Sequence, residues 1–351
     1  MEATTNNRTI KICQIGAGLI GQERVAALMH LVKAGRNLEL CAVYDPHLKQ
    51  KPDLLEKNGL RLAGSLEEIF SVGPDWILIS TPHDVAVEIT KNALSRGHNV
   101  LLEKPMGRNL PEAENILAAQ VRDNQLFIGC NYRFYEGINA ALSDLRQHWF
   151  GNIISVNMVL GHGGNPKDKT SWKLNPEKAG GGVLIDPGIH LLDLCQCMFA
   201  GEIQVGNVST WRGFWNTGIE EEAHVLMHSG HSIINLQLSV VRWRSTFRIE
   251  INGDEGYGIV EGRGRSYGKQ RYVRGKKWGW SSGRPQKETE ELVVETDGDG
   301  VFQNELTALL FGNSKDVIGP CSGKEALASM KLLDACREKA GLPAPNRIPQ
   351  L

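Results

Sequence analysis

The chain has 351 residues, enough for two domains with separate cores, and its 41% hydrophobic and 23% charged content is ordinary for a soluble globular protein. Lys plus Arg number 39 against 40 for Asp plus Glu, so no global field selects nucleic acid or an anionic membrane as partner. No apolar run approaches the ~20 residues of a membrane span, the polar start MEATTNNRT has no signal-peptide core, and the seven cysteines form no CxxC pair, so a reduced, cytoplasmic protein without structural zinc is expected.

The first element is a short apolar strand, Ile10 to Ile15, followed at once by Gly16-Ala-Gly-Leu-Ile-Gly21. Val25, Leu28, Met29, Leu31 and Val32 then recur at helical spacing, and a second strand, Leu38 to Tyr44, ends at Asp45. Gly16 permits a tight turn, Gly18 lets backbone approach a pyrophosphate, and Gly21 lets the helix pack closely on the strand. Leu19 and Ile20 open that helix, whose N-terminal N–H groups and dipole suit phosphate. Asp45, 24 residues past Gly21, can accept hydrogen bonds from both ribose hydroxyls and would repel a 2′-phosphate, which favours NAD over NADP. His47 and Lys49 lie close enough to soften that choice. A glycine turn in some other βαβ unit is the rival reading.

Strands and helices keep alternating: strand 75–80, Thr81-Pro82, helix 84–96, strand 98–102, Glu103-Lys104-Pro105, helix 111–123, strand 126–130, then Asn131-Tyr132-Arg133. Such alternation implies a doubly wound parallel sheet, whose ligands sit beyond the carboxyl ends of the strands. Gly16, Asp45, Thr81, Lys104 and Asn131 all fall at those ends. Lys104 follows an apolar strand and precedes a turn-fixing proline, so an ammonium placed to steady a substrate alkoxide competes with an ordinary solvated lysine.

After a helix over 134–148 the pattern changes to an α+β domain, so the chain divides into a dinucleotide-binding domain over 1–131 and a second domain over 132–351. A strand over 152–160 leads to the basic, glycine-rich loop Gly161 to Lys169 and to Trp172-Lys173. Gly180-Gly-Gly-Val-Leu-Ile-Asp-Pro-Gly-Ile-His190 follows, on a helix running to about Phe199. Asp186 near the N-cap, His190 and Asp193 share one helix face, as either a reaction centre or a capped helix with a satisfied histidine. Strands over 203–213, 221–228, 231–241, 246–251, 257–262, 270–274 and 290–295 form a large, mainly antiparallel sheet, closed by helices over 301–311 and 323–340. An uncovered face of that sheet would suit association of subunits. The segment from Gly262 to Lys287 is basic and aromatic, including Arg263, Arg265, Arg271, Arg274, Lys276, Lys277, Tyr267, Trp278 and Trp280. It reads as an extended hairpin or subunit contact, as a site for a phosphate-bearing substrate, or as a single-stranded nucleic-acid surface, which the neutral total charge disfavours. His162, His224, His228 and His231 have no matching acid pattern, so no metal is assigned to them.

Gly16-Ala-Gly-Leu-Ile-Gly21, Glu103-Lys104-Pro105 and the Gly180 to His190 run together resemble the glucose–fructose oxidoreductase, inositol dehydrogenase and rhizopine-catabolism (Gfo/Idh/MocA) family over residues 9 to 340. The resemblance implies an N-terminal Rossmann domain, an α+β domain that makes homodimers or homotetramers, and NAD-dependent oxidoreduction at a sugar, cyclitol or nucleotide-sugar carbon. It places Gly16, Gly18, Leu19, Ile20, Gly21, Asp45, Thr81, Pro82, Glu103 and Lys104 at the cofactor. Lys104, Asn131, Arg133, Trp172, Lys173, Asp186 and His190 fall on the substrate side. Lys104, Asp186 and His190 are the implied catalytic set, with His190 the proton carrier, Asp186 orienting its imidazole and raising its pKa, and Asp193 structural. Two departures stand out: Ala86 occupies the position of a common family histidine while His83 sits earlier, and Lys173 replaces the usual arginine, losing bidentate geometry. An NAD-dependent glycoside hydrolase and a non-catalytic NAD-binding regulator are the alternatives on this fold.

Overall fold

The computed structural model describes residues 8–47, 60–164, 172–276, 280–281, 284–285, 290–312 and 318–342. Five parallel strands form the body of the six-stranded first sheet: β1 (Ile10–Ile15), β2 (Leu38–Tyr44), β3 (Trp76–Ile79), β4 (Asn99–Leu102) and β5 (Leu126–Ile128). They pair in parallel in the order β5-β4-β3-β1-β2. Helices α1 (Leu19–Lys33), α2 (Leu66–Ser71), α3 (His83–Ser95) and α4 (Leu110–Ala118) connect them. The continuous apolar runs of β3 and β4 are explained by burial on both faces. Ile12, Leu78 and Leu101 pack with Leu28 and Leu31 on one side. Ile77, Ile79, Val100 and Leu102 pack with Leu94 and Ile116 on the other.

Helix α4 stops at Ala118, short of the expected residue 123. The polar run that follows turns back instead, because buried Gln125 accepts from Val121 N–H and donates to the carbonyls of Leu94 and His98.

The second sheet has eight strands, and its numbering continues from β6 (Ile153–Gly161), β7 (Gln204–Trp211), β8 (Glu222–Ser229), β9 (Ser232–Ser239), β10 (Thr246–Gly253), β11 (Gly256–Glu261) and β12 (Gln270–Lys276). A two-stranded ribbon, β13 (Trp280–Ser281) with β14 (Arg284–Pro285), precedes the last of the eight, β15 (Glu290–Thr296). The order is β15-β12-β11-β10-β6-β9-β8-β7, antiparallel except where β6 meets β9. One face, with Val156, Met158, Val225, Leu236 and Ile249, is buried in the main core. Helices α5 (Glu136–Arg146), the single turn α6 (Pro176–Ala179) and α7 (Gly188–Met198) come from the same part of the chain. Ile154, Leu226 and Ile233 remain exposed on strands β6, β8 and β9.

The chain end crosses back to the first sheet. Helix α8 (Val301–Phe311) adds Leu306 to the cluster around α1, and the two-residue strand β16 (Cys321–Ser322) pairs antiparallel with β5. Helix α9 (Gly323–Lys339) follows, with the Ser322–Glu325 capping box at its start. A division at residue 131 therefore leaves α8 and β16, from the second span, serving the first sheet.

Candidate active site

The glycine loop is built by contact distances. Gly16 has φ +87°, and a Cβ there would lie 2.4 Å from the carbonyl oxygen of Ser80; a Cβ on Gly21 would lie 2.1 Å from that of Gly16. Around Gly18, by contrast, a Cβ would meet nothing within 4 Å, so its openness faces a space, not a neighbour. Helix α1 has no side-chain cap and no acid in its first turn, and Leu19 is 70% exposed there beside half-buried Ile20. Ser80 Oγ and Thr81 Oγ1 are buried without a hydrogen-bond partner. Asp45 accepts from Ala17 N–H at 2.7 Å and His47 N–H at 2.8 Å, tying the strand end to the loop while each oxygen keeps lone-pair capacity. Free helix donors, orphaned hydroxyls, an open glycine and a terminal acid fit a dinucleotide. Lys49 lies outside the described residues.

Glu103 takes a different place from the expected one. Its carboxylate accepts from Arg24 Nε at 2.7 Å, and Arg24 also bonds Glu305 of α8, so the Glu103 side chain is held by the protein and not offered to the nucleotide. Burial pushes the Glu305 carboxyl up to about 7, against the pull of Arg24.

Lys104 donates from Nζ to Asp186 Oδ1 at 2.7 Å, and Lys173 Nζ lies 3.7 Å from Oδ2. Enclosure alone would raise the Asp186 pKa, but the two ammonium groups hold it well below the usual carboxylate range. Asp186 precedes the helix: its peptide to Pro187 is cis, Pro187 is the N-cap and α7 starts at Gly188. The expected shared face with His190 is therefore not a helix face, and the carboxylate is engaged by the lysines in place of the imidazole.

His190 lies in the first turn of α7, buried, with Nδ1 lacking any hydrogen-bond partner. Its ring stacks on Tyr132 with centroids 3.9 Å apart and planes at 9°. Burial and then the Lys104 charge push its pKa well below 6.5, overcoming the opposite pull of Asp186, so the expected raising is reversed. Tyr132, on the turn Asn131–Phe134 after β5, thus orients the imidazole by stacking.

His83 joins this cluster from the first residue of α3, where Pro82 is the N-cap. Its Nδ1 lies 2.8 Å from the carbonyl oxygen of Ala179 and must donate, which leaves Nε2 as an acceptor. Burial lowers its pKa to about 4, and its ring meets Trp172 edge-on at 4.7 Å. His83 therefore reaches the space around Asp186 from the opposite domain, a placement the Thr-Pro-His order at a strand end could have signalled.

Arg133 lies away from the expected substrate side. It is fully buried, with Nε and Nη2 on Asp193 at 2.8 and 2.6 Å and Nη1 3.1 Å from Glu325, so it braces α7 and α9 and cannot reach a substrate. Asp193 is structural, as expected. Half-buried Asn131 opens the same turn.

The three glycines also find their reason in packing. Gly180 and Gly181 have φ +87° and +146°, and a Cβ on Gly182 would lie 1.9 Å from the carbonyl oxygen of Glu220. Glu220 Oε1 in turn accepts from Gly182 N–H at 2.9 Å. The close approach is to another chain segment.

Among the described residues, Cys130, Asp193 and Cys321 are grouped as metal ligands would be. Both Asp193 oxygens are taken by Arg133, and burial keeps the Cys321 thiol protonated, so the group makes a poor cation site. Among the described residues of the 262–287 segment most cations are paired: Arg265 with Glu23, Lys269 with Asp297, Arg271 with Glu295, Arg274 with Asp144 and Glu291, and Lys276 with Glu255. Lys277, Trp278 and the loop over 165–171 lie outside the described residues.

A doubly wound sheet with an open glycine loop, facing a lysine–carboxylate pair and a buried histidine across a domain cleft, defines the class of two-domain dinucleotide-binding proteins. Residues 10–130 match the oxidoreductase family with NAD-binding Rossmann fold, and residues 140–258 match the GFO/IDH/MocA C-terminal domain. The chain belongs to the Gfo/Idh/MocA family. It is 27% identical over 223 residues to glucose-6-phosphate 3-dehydrogenase of Bacillus subtilis, covering 62% of this chain and 61% of that protein. To the rhizopine catabolism protein MocA of Rhizobium meliloti it is 29% identical, covering 51% and 54%. The chain thus spans under two thirds of the length of these curated relatives. In fold it is similar to an oxidoreductase domain protein from Kribbella flavida, with a TM-score of 0.80 at 19% identity over 98% of this chain and 100% of that one.

Proposed function

We propose that this chain is an NAD-dependent oxidoreductase acting on a secondary hydroxyl or ketone carbon of a sugar, cyclitol or nucleotide sugar. The observation that carries the reading is the Lys104–Asp186 pair at 2.7 Å beside buried His190, beyond the carboxyl edge of the parallel sheet. NAD, when bound, supplies the hydride acceptor. The free N–H groups of α1, Gly18 and Asp45 would hold it, with Thr81 and Pro82 alongside.

In the oxidative direction the Lys104 ammonium donates to the substrate oxygen and steadies the charge that grows there. Asp186 fixes that ammonium in place. His190 stays neutral because of burial and Lys104, so it is ready to receive the hydroxyl proton. Trp172, Lys173, His83 and Asn131 line the substrate side. Asp45 favours NAD over NADP.

The outward face of the second sheet, with Leu226 and Ile233 exposed, supports a homodimer or homotetramer built on that face. Seven free cysteines support a reducing, cytoplasmic setting; among the described residues no helix is long and apolar enough to cross a membrane. The test is a panel of polyols, inositols, hexoses and nucleotide sugars with NAD and NADP in parallel. Formation of NADH with at least one of them is expected, and bound NAD with no turnover across the panel would refute the proposal.

A further inference from the structure

Four arginines are buried or half-buried near the junction of the two sheets, and one of them meets neither a carboxylate nor a carbonyl oxygen among the described residues. Arg24 is met by Glu103 and Glu305, Arg133 by Asp193 and Glu325, and Arg337 donates to the carbonyls of Arg108 and Gly180. Arg263, in the loop between β11 and β12, has no carboxylate within ion-pair distance among the described residues. Its guanidinium lies over the rings of Tyr267 at 4.0 Å and Tyr132 at 5.3 Å, and its Nη1 reaches the Tyr135 hydroxyl at 3.4 Å. Nε is buried with no partner at all. Enclosing a cation without a counter-ion is costly, so a charge kept in this state faces a ligand that completes it.

The direction it faces is set by its neighbours. Tyr132 carries Arg263 near its ring and His190 stacked against it, and the Arg263 charge acts on His190. The same loop is pinned to α1 by Arg265 and Glu23 at 2.6 Å, which holds it across the cleft. Among the described residues, Lys104 is paired with Asp186 and Glu103 with Arg24, while the charge of Arg263, which acts on His190, meets no carboxylate. Both histidines are uncharged at neutral pH. The site is short of negative charge.

Resting on the proposed dehydrogenase reading, we infer that Arg263 is a specificity-determining residue that selects an anionic sugar or cyclitol, one bearing a carboxylate or a phosphate near the reacting carbon. A guanidinium presents a planar fork that matches either group bidentately, whereas a neutral polyol leaves the surplus charge unpaired. The cationic groups that face the ligand from other elements are Lys104 after β4 and Lys173 before α6.

The test is calorimetric titration of the full chain preloaded with NADH, using glucose and myo-inositol as neutral probes, glucuronate as the carboxylate and glucose 6-phosphate as the phosphate. The wild-type protein is expected to bind one of the anionic probes about 10- to 100-fold more tightly than its neutral parent, as a charge-assisted bond does. Which of the two it prefers distinguishes the sources of the anion. Arg263→Gln is expected to collapse that preference to within about threefold, while Arg263→Lys keeps part of it. NADH affinity is expected to be retained in both variants, which also reports that they fold. Equal affinity of wild type for neutral and anionic probes overturns the inference, and so does an equal loss for both classes in Arg263→Gln. A loss of NADH affinity without a change in sugar preference assigns Arg263 to the nucleotide instead and overturns it too. If NADH binds and no probe of either kind does, the inference is overturned, whereas the dehydrogenase reading falls only if the turnover panel is also empty.

Discussion

At the scale of single residues, the site is decided by which charge each group meets. His190→Ala is expected to lower kcat by about 10²- to 10⁴-fold, the range for a lost general base, with NAD affinity unchanged by direct titration. Because burial and Lys104 lower the His190 pKa, the imidazole stays neutral until the pH is well under 6.5. The pH profile of kcat/KM is therefore expected to be flat from 8 down to about 6.5, falling only at lower pH; an acid limb centred above 6.5 would count against the assignment. Asp45→Ala is expected to improve NADP use relative to NAD, read as the ratio of their kcat/KM values. Lys104, Asp186 and His190 were legible because motif order put them together. Arg133 was misassigned because a sequence does not show that Asp193 and Glu325 converge on it. The roles of His83 and Tyr132 were not legible for the complementary reason: they depend on contacts with Trp172, Ala179 and His190, which come from distant stretches of the chain.

At the scale of elements, the cleft is held by ion pairs that tie the motif loop to distant helices. Arg24 on α1 bonds Glu103 before the motif lysine and Glu305 on α8. Arg24→Met strands buried Glu305 and half-buried Glu103 and is expected to cost about 3–5 kcal/mol of stability in denaturant unfolding. A loss under 1 kcal/mol would show that the network contributes little. Strands β1 and β2 and helix α8 run where periodicity placed them, because long apolar runs and clean glycine boundaries leave few alternatives. Helix α2 was overlooked although Ser65-Leu-Glu-Glu68 is a capping pattern, and Ser65 does cap Glu68 N–H. Strand β16 is two residues long and has no period to read; only its pairing with β5 defines it.

At the scale of the whole molecule, two buried histidines are expected to make the fold acid-sensitive. A histidine whose folded pKa is depressed binds fewer protons than the unfolded chain, so stability falls as pH drops below about 6.5. For His83, lowered to about 4, the loss between pH 7 and pH 5 is about 2 kcal/mol, and His190 adds in the same direction. Asp186, depressed in its turn, keeps its contribution throughout that range and loses it only as the pH falls through its own low value. Thermal melting at pH 7 and pH 5 checks the sum: a lower melting temperature at pH 5 is expected, and no change contradicts it. On the proposed association through the exposed sheet face, Ile233→Asp is expected to lower the mass measured by light scattering, and an unchanged mass contradicts it. Hydride transfer remains the central claim, and isotope tracing tests it most directly. A substrate found by the panel, deuterated at its carbinol carbon, is expected to deliver that deuterium to the nicotinamide of the NADH formed, one label per oxidised sugar. NADH without the label, or sugar cleavage with no net NADH, would contradict it.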